Sequence, residues 1–134
     1  MKTQKDLAAL ILRLGFGLFI VFGHGLGKLQ MLLAGNIQFP DLFGIPSVVN
    51  LTLAMLAEFV AGIMVVVGLR TRLATIPLMI TMLVAALIFH ADDPLFSSEG
   101  PSKEFALLYF FAFAGIFFLG SGRYSVDAIS GKRI

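Results

Sequence analysis

The chain is 134 residues long, 58% hydrophobic and 13% charged, against about 45–50% and about 25% in soluble domains. That balance, a net charge of only +2 and the absence of cysteine exclude a disordered chain, a nucleic-acid partner, a disulfide scaffold and thiol or iron–sulfur chemistry. A small integral membrane protein, with the lipid bilayer as its first partner, remains.

A membrane-spanning helix needs about 20 mostly apolar residues, and four stretches qualify. The first runs from about Leu7 to Gly27 and carries Arg13 and His24. Lys2 and Lys5 ahead of it resemble the start of a signal peptide. Arg13 interrupts the apolar run, however, and no small-residue cleavage site follows, so the segment reads as an uncleaved span. The connection from Leu29 to Ser47 mixes Gly35, Asn36, Pro40, Gly44 and Pro46 with Met31, Leu32, Leu33, Phe39 and Phe43. This mixture predicts a segment lying on the membrane surface or re-entering it slightly. The second span runs from about Val48 to Leu69, with Glu58 as its only charge. Gly68-Leu69-Arg70-Thr71-Arg72 is a tight link and makes a hairpin with the third span, about Leu73 to Ala91. That span has His90 near its end, and Pro77 is expected to kink or open its first turns. Ala91 to Glu104 is polar and reads as an aqueous loop. The fourth span, about Phe105 to Gly120, is uncharged, and its phenylalanines read as packing and lipid-facing surface.

The expected fold is all-α: one domain over residues 1–134, an integral membrane four-helix antiparallel bundle. Lys2, Lys5, Arg70, Arg72, Arg123, Lys132 and Arg133 collect on one side, and only Lys28 and Lys103 on the other. The excess places both termini in the cytoplasm of a multi-pass plasma (inner) membrane protein. Asp41, Asp92, Asp93 and Glu99 then fall in the outer loops.

Ionisable residues inside spans are costly and face the bundle interior or water. Arg13 and His24 are eleven residues apart, within about 20° of three whole helical turns. Gly17 lies between them, and Lys28 is one turn further on. Glu58 sits on a small-residue face with Ala54, Ala57, Ala61 and Gly62. Depths of roughly 15 Å for Glu58 and roughly 21 Å for Arg13 below the outer surface suggest an intramembrane Arg13–Glu58 ion pair. The alternative is that Arg13 snorkels to the inner interface.

His24 and His90 both fall near the outer ends of their spans, where Glu104 and Lys28 also lie, with Tyr109 just over a turn deeper than Glu104. His24, Lys28, Glu58, His90, Glu104 and Tyr109 are therefore the candidates for an outer-facing polar pocket. Three readings stand. The groups form a satisfied polar network that fixes helix register. They form a ligand or proton-transfer site, for instance for a quinone, whose carbonyls would accept from His or Lys. Or they bind a metal or haem, a weaker reading because Glu58 is too deep to join the histidines easily and no dense ligand motif is present. Gly23 to Lys28 superficially resembles a phosphate loop, but Phe22 stands where a glycine is required and Leu29 where Ser or Thr is. Gly23 and Gly27 form a GxxxG pair suited to a helix contact.

Taken in order, Arg13-Leu14, Gly17, His24-Gly25, Lys28-Leu29, Ala57-Glu58-Phe59, Gly62, Gly68 to Arg72, His90, Glu104 to Leu108 and Gly120 to Asp127 resemble the DoxX family. The resemblance covers almost the whole chain. It departs at Ala61, where a second glycine is common, and at Ser121, where a proline is common. It implies a four-helix plasma-membrane protein, often described as an oxidoreductase. Some relatives look like subunits of thiosulfate:quinone oxidoreductase, and others accompany quinone or catechol detoxification. A chain without cysteine would then need a quinone, a haem or a redox partner subunit. The expectation is a quinone-interacting membrane subunit, with a small transporter subunit or assembly factor as the alternative. The small-residue faces also suit a homodimer.

Overall fold

The computed structural model describes residues 1–131, so the expected anchors Lys132 and Arg133 lie outside the described residues. The chain is all-α. Helix α1 spans Lys2–Ala34, α2 Ser47–Val67 and α3 Thr71–Phe89; each is long and apolar enough to cross a membrane. Helix α4, Glu104–Leu119, is apolar but has 16 residues, about 24 Å at 1.5 Å per residue. A short α5, Val126–Ile129, follows.

Helix α1 is longer than the sequence suggested. Nothing breaks it after Gly27: Leu29, Met31, Leu32 and Leu33 continue the apolar pattern until Gly35 closes it in the left-handed conformation, φ 70°. The surface segment expected from Leu29 shrinks to residues 35–46. Phe43 (φ 56°) and Gly44 (φ 68°) make its turn. The buried Asn50 side chain ties it down, with Nδ2 facing the carbonyls of Pro40 (3.4 Å), Leu42 (3.2 Å) and Ile45 (3.0 Å). Helix α3 runs through Pro77 from Thr71 without interruption.

Among the described residues, three helices contain one turn of π-helix: Val21–Gly25 in α1, Leu56–Ala61 in α2 and Ala85–Phe89 in α3. Such a turn inserts one residue into the helical count and rotates everything beyond it. This explains the buried stripe of α1, which runs Ala9, Arg13, Gly17, Ile20 and Val21 and then reaches Gly25, not His24.

The tight link Gly68–Arg70 defines one end of the molecule. Above it, Ile20, Val65, Leu78, Phe113 and Ile116 are all 0% exposed. All four long helices thus contribute to one sealed apolar layer. Beyond the layer the helices part. Residues 21–34 of α1 stay against residues 47–61 of α2, the far end of α3 keeps a lighter contact with α4, and space opens between the two pairs.

Candidate functional site

That space is a cavity of about 740 Å³. All three π-turns reach it, through His24, Glu58, and Ala85 with Phe89. Its walls are otherwise mostly apolar, with Leu42, Phe43 and Ile45 of the Asn50-held loop on one side and Phe105, Ala106 and Tyr109 of α4 on the other.

The charged group at its base is Lys28 with Glu58. Lys28 Nζ donates to Glu58 Oε2 at 2.5 Å, and the two side chains are 18% and 6% exposed. Local packing makes this pair possible. A Cβ on Gly25 would lie 2.6 Å from the Phe59 nitrogen and 2.8 Å from the Glu58 carbonyl carbon. Only glycine lets the two π-turns approach so closely. Lys28, three residues beyond Gly25, is thereby brought over the carboxylate.

The expected Arg13–Glu58 pair is not formed. The buried Arg13 guanidinium donates instead to the carbonyls of Ser121 and, at 2.7 Å, Tyr124. Both lie in the segment after α4, which folds under the link end. Asp127 in the same segment accepts from the amides of Arg70 (2.8 Å) and Thr71 (3.3 Å), capping α3. The depth estimate failed because Arg13 lies at the link end, while the π-turns bring Lys28 to Glu58 first. Snorkelling is not its fate either, since Arg13 is 1% exposed. The spacing of Gly23 and Gly27 likewise misled. A Cβ added to either would meet nothing within 4 Å, and the glycines of the α1–α2 contact are Gly17, Gly25 and Gly62.

His24 lines the cavity with its ring edge-on to Tyr109, centroids 5.7 Å apart. Tyr109 is held by Phe113 (6.0 Å, stacked) and Phe16 (5.9 Å, edge-on). His90 lies at the loop side of the cavity, its Nδ1 2.6 Å from Asp93 Oδ2. Lys103 fastens that loop by donating to the carbonyls of Ala91 (2.9 Å) and Asp93. Glu104 does not line the cavity. It is five residues before Tyr109, about 140° away around the helix, and so belongs to another face. Sequence reasoning missed Asn50 and Asp93. A lone amide early in a span and an acid three residues after His90 were the available signals. Among the described residues, no group of three or more His, Cys, Asp or Glu is placed to hold a metal ion.

These features define a helical membrane protein with an ion pair under an apolar cavity. The chain belongs to the DoxX family, whose model, described as DoxX, matches residues 8–91. It is similar to "Putative oxidoreductase CatD" of Bacillus subtilis (strain 168), at 32% identity over 94 residues, 70% of this chain and 68% of that protein. No solved structure matches the chain. The matched region holds Arg13, His24, Lys28, Glu58 and His90, while Tyr109 and the Arg13-binding segment lie beyond it.

Proposed function

We propose that the protein is a quinone-interacting redox subunit of the plasma membrane, with all four helices spanning as an antiparallel bundle and both termini cytoplasmic. The observation that carries this reading is the Lys28–Glu58 pair beneath an apolar cavity of about 740 Å³. The donor set fits a quinone: the walls suit an apolar ring, and Lys28 and Tyr109 supply donors for its oxygens. When bound, a quinone supplies two-electron, two-proton carrier chemistry.

The chain's own groups manage position and protons. Lys28 and the Tyr109 hydroxyl, both on the cavity wall, would hold the ring oxygens. Glu58 Oε2 is engaged by Lys28, so Oε1 is the carboxylate oxygen available to a ligand proton. His90, with Nδ1 on Asp93, has Nε2 for proton exchange with the polar loop. His24 packs on Tyr109 and limits how that ring turns. In this reading a partner subunit supplies or removes the electrons; the chain, with no cysteine, has no dithiol chemistry of its own.

Purified protein titrated calorimetrically with a short-chain quinone analogue should show saturable binding. E58Q and K28M should each weaken it at least tenfold, about 1.4 kcal/mol or more. Absence of saturable binding by the wild type would reject the proposal.

A further inference from the structure

At the link end a second recess of about 480 Å³ has Lys2, Asp6, Arg72, Leu119, Gly120 and Arg123 in its lining. Its composition is opposite to that of the cavity. Among the described residues, three cations face one carboxylate, and the carboxylate is already engaged: Asp6 Oδ1 accepts from the Arg123 amide at 2.9 Å. Arg72 is held in place through Nε, which donates to the Phe117 carbonyl at 3.1 Å. Among the described residues, its two terminal nitrogens have no acceptor and face the recess. Gly120 brings the backbone beside it: a Cβ there would lie 3.5 Å from Arg72 Nε and 3.6 Å from Nη2. Three cations against one carboxylate leave the recess net positive, and a further anion shared between the cations would offset their repulsion. Planar guanidinium groups match phosphate oxygens best.

We propose that this recess is a phosphate-binding site, with Arg72, Arg123 and Lys2 as its cationic donors. Its position favours the phosphodiester of an anionic lipid over free phosphate. Leu119 forms one edge at 39% exposure, and the adjacent Phe118 is 78% exposed, so the recess borders the apolar surface of α4. The recess has room beside a phosphate for a glycerol headgroup.

The test is native mass spectrometry of delipidated full-length protein in detergent, with added phosphatidylglycerol, phosphatidylcholine or inorganic phosphate. One phosphatidylglycerol per chain should bind, at least tenfold more tightly than phosphatidylcholine. R72Q and R123Q should each weaken it at least fivefold. R70Q, which removes an equal charge from the same link but from a residue that does not line the recess, should change it less than twofold. R123Q is the safer variant for folding, because Arg123 is tied through its backbone amide. Retained phosphatidylglycerol in the presence of millimolar phosphate supports the lipid source. Phosphate binding with the same dependence on Arg72 and Arg123 supports the site with free phosphate as its ligand. Equal losses in R70Q and R72Q, or equal binding of both lipids, would overturn the proposal in favour of diffuse interfacial charge.

Discussion

At the scale of single residues, two buried charges solve the same problem differently. Glu58 answers a side chain with a side chain, and Arg13 answers backbone carbonyls. The variants should therefore behave differently. K28M strands a carboxylate that is 6% exposed, which should cost about 3 kcal/mol. The double variant K28M/E58Q should recover much of that loss, because the uncompensated charge is gone. Thermal unfolding in detergent checks both, and a double variant no more stable than K28M would contradict the account. R13K keeps the charge but loses the fork that reaches two carbonyls, so its melting temperature should fall despite conserved charge. The identity of these charged residues was legible in the sequence, because ionisable groups in spans are few. Their partners were not. The carbonyls that hold Arg13 are main-chain groups more than a hundred residues away, and no side-chain pattern marks a carbonyl.

At the scale of helices, the π-turns decide which residues face which neighbour. The four apolar runs and the tight link at Gly68 could be read directly from hydropathy and glycine. The phase beyond residue 21 could not, because a count at 100° per residue assumes unbroken α-helix. One inserted residue exchanges His24 for Gly25 on the packing face. G25A should force the α1 and α2 backbones apart, lowering stability by about 1–3 kcal/mol and weakening ligand binding with it. G23A and G27A, with open space around them, should be neutral or slightly stabilising, by up to about 1 kcal/mol. Parallel melting curves of the three variants separate packing from helix propensity. The loop at 35–46 gives a further test. N50A removes its three carbonyl contacts, so hydrogen exchange at Leu42 and Ile45 should accelerate while the α3 amides near Leu78 stay protected.

At the scale of the whole molecule, charge is segregated by end. The link end carries the cationic recess and the Arg13 anchor, and the other end carries the cavity and its loops. The sealed layer of Ile20, Val65, Leu78, Phe113 and Ile116 stands between them. The lysine and arginine bias made this polarity readable, although the length of α4 was not a full membrane thickness. Because the chain has no cysteine, orientation can be mapped without background. Single cysteines replacing Gln4 and Ser98 should respond oppositely to an impermeant maleimide on intact cells. Ser98 should label directly and Gln4 only after permeabilisation. Labelling of both, or the reverse order, would refute cytoplasmic termini.

The Arg13 anchor also has a consequence for biosynthesis. The first helix leaves the ribosome with a guanidinium in it, and the carbonyls that receive that group belong to residues made 108 and 111 positions later. Until those residues emerge, α1 cannot reach its final place and must keep Arg13 near water or headgroups. Closure of the molecule therefore waits until all four long helices have been made. A chain truncated after Gly120 should insert its helices yet be cleared by membrane proteases, because its first buried charge never finds a partner.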